Sequence, residues 1–299
     1  QGAFAAYPER PVRLLVPSSS GSGPDAIARL VAARMGTLLS QQIVCDNRAG
    51  ANGVIASELV ARAAPDGYTL LMTSGGHTTN PHMYRKLPYD PIADFTPITQ
   101  FITSGGLVVV VTPSFGARTI AQLIEMARAA PGKIVYASAG VGNSTHLAGE
   151  MFNQAAGVRL THVPYKGGGP AIIDVIGGQV PLMFASGAVS IPYVKSGRLR
   201  ALGYTGPKRS EQLPDVPTLN ESGLKGFEVT GWYGLYGPAR LPPAIVNRLY
   251  ETTRDAVRHP ETRQALAQLG IEPADLPPAA FARFLPEDLV RNGRIVKAA

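Results

Sequence analysis

The residues best suited to chemistry in this chain are small, hydroxylated and gathered in short loops. Pro17-Ser18-Ser19-Ser20-Gly21-Ser22-Gly23 lies between a β-rich run, Val12-Arg13-Leu14-Leu15-Val16, and a helical pattern. Ser138-Ala139-Gly140-Val141-Gly142-Asn143-Ser144 lies in the same setting, between a strand at 133–137 and a helix at 147–156. A helix N-terminus presents unpaired N–H groups and about half a positive charge. Glycine lets an anion approach the backbone closely, and hydroxyls add donors. Two such loops suit a molecule with a carboxylate at each end. Charge-assisted hydrogen bonds contribute ~1.5–3 kcal/mol each. Micromolar binding needs ~8 kcal/mol net, so roughly five or six such bonds are enough without an arginine. The plain alternative, that both loops are only turns, stays open.

Other side chains could join the same chemistry. Ser74-Gly75-Gly76-His77-Thr78-Thr79-Asn80 follows a third strand and reads as a loop, in which His77 could donate to a carboxylate or simply be solvated. Tyr165-Lys166-Gly167 precedes another helix, where Lys166 could supply a cation or point to water. Trp232 and Tyr233 could stack on a ligand or pack in a core. The candidate binding residues are therefore Ser18, Ser19, Ser20, Gly21, Ser22 and Gly23, with Gly76, His77 and Thr78, then Ser138, Ala139, Gly140, Gly142, Asn143 and Ser144, then Tyr165, Lys166, Gly167 and Tyr233.

A competing reading is a dinucleotide-binding oxidoreductase. Gly21-Ser22-Gly23-Pro24-Asp25-Ala26 fits G-x-G-x-x-A between a strand and a helix, and Asp46 lies where a ribose-binding acid would sit. Pro24 and the serine-rich lead-in weaken the match. No G-x-S-x-G, P-loop or H-E-x-x-H motif occurs, and the histidines are scattered. The sequence thus offers binding loops without a catalytic constellation, and it calls for no metal and no cofactor.

The elements that must position these loops follow from periodicity. Val12–Val16, Gln42–Cys45 and Tyr68–Thr73 read as strands separated by helical patterns, a β-α-β-α-β order that makes an open parallel sheet. Ligands of such sheets sit outside the carboxyl ends of the strands. Ser22 with Asp25 resembles a capping box at the first helix. Residues 81–105 read as proline-containing turns, and 107–112 as an apolar strand. Strand, small-residue loop and helix recur at 133–157, followed by short alternating units to Tyr204. A long β segment spans 227–236, and 242–258, 260–269 and 278–291 read as helices.

Composition bounds the rest. The 299 residues suggest two domains or one large one, and 45% hydrophobic content supplies a core. Gly 33 and Pro 26 imply many turns. A net charge of +7 is spread without a basic run, which argues against nucleic acid. Cys45 alone excludes an intrachain disulfide and reads as a buried thiol. No run approaches the ~20 apolar residues of a membrane span. Ala3-Phe4-Ala5-Ala6 resembles the small-x-small residue of a signal-peptide cleavage site, consistent with an exported chain whose signal peptide has been removed.

In combination these segments resemble the Bug family, the tricarboxylate-transporter-type extracytoplasmic solute receptors of bacteria. The resemblance rests on Tyr7-Pro8-Glu9-Arg10-Pro11-Val12-Arg13, on Gly23-Pro24-Asp25-Ala26-Ile27-Ala28-Arg29, similar to a G-x-x-D-x-x-A-R helix start, and on Asp46-Asn47-Arg48-Ala49-Gly50-Ala51-Asn52-Gly53. It extends through Ala64-Pro65-Asp66-Gly67-Tyr68-Thr69-Leu70-Leu71, Val163-Pro164-Tyr165-Lys166-Gly167 and Gly231-Trp232-Tyr233-Gly234.

The resemblance implies an α/β periplasmic-binding-protein fold, type II-like, with two α/β domains joined by two crossing strands and the ligand cleft between them. Domain 1 is expected at 1–105 plus 235–299 and domain 2 at 106–234. It implies a periplasmic, non-enzymatic and usually monomeric receptor that closes on a small carboxylate: a di- or tricarboxylate, an acidic amino acid or an aromatic carboxylate. The membrane subunits of a tripartite transporter, or a sensor kinase, would be its partners. The family's S-x-G-x-G-x-x-x-H loop extends the candidate site to Thr145 and His146, and Ala185 and Ser186 complete it. The first loop departs from the family's P-F-P-P-G-G by its extra hydroxyls. Pro181 stands where an acidic residue is usual, Ala49 replaces the turn proline, and Asn52 replaces a glycine. These changes leave the exact ligand open and imply a more polar pocket wall.

Overall fold

The computed structural model describes residues 7–298, so the cleavage-site-like Ala3–Ala6 segment lies outside the described residues. In chain order the elements are β1 (Val12–Val16), α1 (Gly23–Leu39), β2 (Ile43–Asn47), α2 (Val54–Ala61), β3 (Thr69–Ser74), α3 (Gly76–Met83) and β4 (Phe95–Val111). Then come α4 (Ile120–Ala129), β5 (Val135–Ser138), α5 (Ser144–Ala156), β6 (Thr161–Pro164), α6 (Gly168–Ile176), β7 (Leu182–Ser186), α7 (Gly187–Lys195) and β8 (Arg200–Tyr204). β9 (Thr230–Pro238), α8 (Pro243–Arg258), α9 (Pro260–Gln268), β10 (Ile271–Leu276) and α10 (Pro278–Ala298) complete the order. The chain divides into two compact units. Unit 1 holds the described residues up to Thr103 and Trp232–Arg294, and unit 2 holds Ser104–Gly231 and the residues from Ile295 on. The divisions fall inside β4, β9 and α10.

In unit 1 the strands lie in the order β2-β1-β3-β9-β4. β1 pairs in parallel with β2 and β3, and β3 pairs antiparallel with β9. Side chains alternate across the sheet. Leu14 and Val16 pack with Ile27 and Val31 of α1 and Leu249 of α8. Leu15 and Leu71 pack on the other face with Val60 of α2 and Phe281 and Leu285 of α10. Covered faces on both sides explain why these strands are almost continuously apolar.

Unit 2 repeats the principle. β4 pairs antiparallel with β7 and β8, while β5 pairs in parallel with β6 and β7. Val109 and Val111 face Leu123 of α4 and Phe152 of α5, and Val108 and Val110 face Ile172 and Val175 of α6. Fully burying one such side chain contributes ~1.5–3 kcal/mol.

Four readings from the sequence are corrected. The segment 74–80 is not a loop: β3 runs to Ser74 and α3 starts at Gly76. The turn-rich reading of 81–105 ends at Phe95, where β4 begins, with Pro97 inside the strand. Ile271–Leu276, between two expected helices, is a strand that pairs with β4. Cys45 is half-buried rather than buried, and burial still pushes its thiol up. Among the described residues no helix is long and apolar enough to cross a membrane.

Candidate functional site

In unit 1, α1, α2 and α3 all start beyond the carboxyl ends of the parallel strands. Those ends are level, with Val16 opposite Asn47 and Leu15 opposite Leu71. The first loop is held by one carboxylate. Asp25 is buried, and its Oδ2 accepts the Gly21 N–H at 2.8 Å and Arg29 Nε at 3.0 Å, while Oδ1 accepts Asn47 Nδ2 at 2.9 Å. Asn47 also donates to the Ser18 carbonyl at 3.1 Å, and its own Oδ1 accepts from Arg29 at 3.0 Å. Burial alone would raise the Asp25 carboxyl, but the bonds from Arg29, Gly21 and Asn47 together hold it below its usual range.

The loop hydroxyls divide in role. Ser22 Oγ donates to Ser18 Oγ at 3.0 Å and accepts the Asp25 N–H, so both serve the cap of α1. Gly21 takes φ +78°, which favours glycine. Ser19 and Ser20 are exposed, and their N–H groups meet no acceptor among the described residues. They and the N-terminus of α1 are what this loop can offer an anion. The turn after β2 packs on the same loop: a Cβ at Gly53 would stand 3.1 Å from Pro17. Asn52, at φ 50°, donates to Asn80 Oδ1 at 2.8 Å, and its side chain lies over Gly76 at the start of α3.

Tyr233 sits opposite Ser74 across β3 and β9. Its hydroxyl has no hydrogen-bond partner among the described residues, and burial pushes it up to about 12. His77 and Thr78 are corrected. His77 is 1% exposed, within hydrogen-bond distance of the Pro91 carbonyl and enclosed by Tyr89, Phe95 and Tyr236. Thr78 is buried against Asp288 and Asn292 of α10. Both turn inward on α3 and stabilise the core, leaving Gly76 at the rim. Trp232 is also core, edge-on to Phe281 and Phe284.

In unit 2 the corresponding rim is built from β5, β6 and β7, after which α5, α6 and α7 begin. Ser138 is opposite Pro164, and Ala137 opposite Met183. Most N–H groups of the 138–146 loop are already used. Ala139 N–H donates to Thr145 Oγ1 at 2.8 Å, Gly140 N–H to Ser138 Oγ at 3.1 Å, Gly142 N–H to His146 Nδ1 at 3.2 Å, and Thr145 N–H to Asn143 Oδ1 at 3.1 Å. Val141 and Ser144 keep N–H groups with no acceptor among the described residues, and both are exposed. Thus Ser138, Asn143, Thr145 and His146 shape the loop, while Val141, missed in the sequence, and Ser144 present donors. Gly140 and Gly142 have φ +131° and +76°.

Tyr165 is tied to the same loop, donating its N–H to the Ser138 carbonyl at 3.0 Å and its hydroxyl to Asp174 at 2.7 Å. Burial and that carboxylate push the hydroxyl up to about 12. Lys166 is exposed beside it. Gly167 and Ser186 precede α6 and α7 without capping them through a side chain, so those helix N-termini also keep free donors. Ala185 is buried, and Ser186 is half-buried at the strand end.

The dinucleotide reading fails at its key residue. Asp46 accepts from Arg13 Nε at 2.7 Å and lies 2.9 Å from Arg48 Nε, so its carboxylate is already paired. Burial would raise it, but Arg13 and Arg48 hold it below the usual range. The residues missed in the sequence, Asp25, Arg29 and Asn47, stand inside the G-x-x-D-x-x-A-R and Asp46-Asn47-Arg48 segments, where a polar residue between strand and helix was the available signal.

The fold and the comparisons with known proteins place the chain among solute-binding receptors rather than enzymes. Residues 27–299 match the tripartite tricarboxylate transporter family receptor, and the chain belongs to that family, whose members include the Bug proteins. It is 40% identical over 97% of its length to the UPF0065 protein in the tcbD-tcbE intergenic region of Pseudomonas sp. (strain P51), covering 87% of that relative. It is 31% identical to Protein BugT of Bordetella pertussis, over 97% of this chain and 90% of that one. A structure from R. palustris with adipate superposes with a TM-score of 0.91 at 34% identity, covering 98% of both chains. MatC from Rhodopseudomonas palustris with bound malate gives 0.87 at 30% identity, covering 97% of this chain and all of that one, 100%.

Proposed function

We propose that this chain is a periplasmic receptor that captures a small carboxylate at both ends and delivers it to a membrane transporter or sensor. The observation that carries this reading is the repetition of one device in both units: N–H groups with no acceptor among the described residues on loops between strand and helix, exposed at Ser19, Ser20, Val141 and Ser144. Unit 1 contributes Ser19, Ser20, Gly23, Gly76 and the Tyr233 hydroxyl. Unit 2 contributes Val141, Ser144, Lys166, Gly167 and Ser186. Adipate in one structural relative and malate in another support a dicarboxylate, and acidic amino acids, tricarboxylates and aromatic carboxylates share the chemistry.

Capture works by domain closure, which removes water from the ligand and shifts an open–closed equilibrium. The receptor acts as a monomer, and its closed form is what a membrane partner reads. The test is thermal unfolding against mono-, di- and tricarboxylates, acidic amino acids and aromatic carboxylates, with NAD and NADP as controls. A ligand at 100 times its dissociation constant stabilises by ~2.7 kcal/mol, a shift of a few degrees. A shift confined to one carboxylate group supports the reading, and a shift with nucleotides alone overturns it.

A further inference from the structure

The 138–146 loop is shaped by two imidazoles. His146 of α5 and His162 of β6 stack with ring centroids 3.9 Å apart. His146 Nδ1 accepts the Gly142 N–H at 3.2 Å, which requires an unprotonated nitrogen there and places the ring proton on Nε2, 3.9 Å from Glu150 Oε1. His162 Nε2 lies 2.5 Å from Ser138 Oγ, the atom that also accepts the Gly140 N–H at 3.1 Å and donates to the Gly140 carbonyl at 3.2 Å. One arrangement satisfies all three contacts: His162 donates from Nε2, Gly140 donates from its N–H, and the serine proton goes to the Gly140 carbonyl. Protonating His162 leaves that arrangement intact. Protonating His146 does not, because Nδ1 then carries a hydrogen that faces the Gly142 N–H.

We propose that His146 is the positioning residue of this loop, so that anion capture in unit 2 is linked to the release of one proton from its ring. The inference rests on the reading of this loop as an anion site. Gly142 is buried, so its N–H has no water to turn to when the ring stops accepting. The titratable groups around the ring are Glu150 on its own helix, Tyr136 on β5 and His162 on β6, while β7, which also packs on α5, carries none. Glu150 is partly committed, since Oε1 accepts the Tyr136 hydroxyl at 2.6 Å. Burial holds His146 below the ordinary histidine value despite Glu150, and burial together with His146 pushes His162 down to about 4. The ring is therefore neutral at pH 7. As pH falls below ~6.5 and through the lowered value of His146, the Gly142 anchor is lost.

His146→Asn separates the roles, because its Oδ1 can accept the Gly142 N–H and cannot titrate. The experiment follows Gly142 amide exchange by NMR in ligand-free wild type, H146N and H146A from pH 7.5 to 4.5. Calorimetric dissociation constants for malate and adipate are measured over the same range. Wild type is expected to lose Gly142 protection on acidification and to bind up to about tenfold more weakly per pH unit below the ring's own value. H146N should keep both constant apart from the ligand's own titration, and H146A should lose protection at every pH. Wild-type protection in H146A, or a wild-type pH slope in H146N, overturns the proposal. If neither ligand binds any variant while the amide follows this pattern, the assignment of His146 stands and the dicarboxylate reading fails.

Discussion

The Asp25 carboxylate accepts the Gly21 N–H at 2.8 Å, four residues back along the chain, and so an anion of the protein's own already anchors the first loop. The same oxygen takes Arg29, and the other takes Asn47. The loop is thereby pre-organised: its shape is set before any ligand arrives, and the ordering cost at binding is small. Asp25→Ala should cost about 2–3 kcal/mol of stability, because Gly21 and Asn47 lose a charged acceptor. The native carboxyl lies below its unfolded value, so its contribution is present above ~3.9 and is lost as pH falls through the lower native value. Urea unfolding at pH 7 and pH 2.5 tests both statements: the gap between wild type and variant should be narrower at the second than at the first.

His77 makes acid costly in unit 1. Its imidazole is enclosed by aromatic rings, and burial pushes it down to about 4. A depressed histidine destabilises the native state as pH falls from ~6.5 towards that value, in total by about 3 kcal/mol. His77→Gln should lose less stability between pH 7 and pH 4 than wild type, measured by urea titration at several pH values. Identical slopes would place the acid sensitivity elsewhere.

Gly149 on α5 leaves room for Tyr136. A Cβ there would stand 2.3 Å from the tyrosine ring, whose hydroxyl reaches both Glu150 and the His146 carbonyl. Gly149→Ala should cost about 1–3 kcal/mol by overpacking, despite alanine's better helix propensity. A stabilised variant in chemical unfolding would show that the ring moves freely.

Ser20 and Val141 lie at the two rims without structural duties. Ser20→Asp and Val141→Asp each place a like charge where a carboxylate is proposed to dock. Each should abolish ligand-induced thermal stabilisation while changing urea stability by no more than about 0.5 kcal/mol. Full stabilisation of both variants by the same ligand would move the site elsewhere.

Much of this was legible in the sequence, and the exceptions have physical causes. α1 and α8 show helical periodicity, and the parallel strands of unit 1 are apolar runs bounded by turn residues. The sequence of α3 reads as a loop because Gly-Gly-His-Thr-Thr-Asn-Pro has poor helix propensity; tertiary bonds from Thr78 to α10 and the burial of His77 hold the helix. β10 was hidden by Pro273 and Asp275, and the start of β4 by Pro97 and its polar neighbours. The positions of the two binding loops were readable from Gly and Ser between strand and helix. Which donors remain free was not, since it depends on contacts as distant in sequence as Ser138 with His162.

The most direct test of two-ended capture is a calorimetric comparison of adipate with its monomethyl ester, repeated for malate. The esters keep the carbon chain between the two carboxyl groups, remove one negative charge and add only a methyl group. If each end is held by charge-assisted hydrogen bonds, losing one charge should weaken binding by about tenfold to a hundredfold or more. Equal affinity for diacid and half-ester would contradict the account, because only one rim would then be holding a carboxylate.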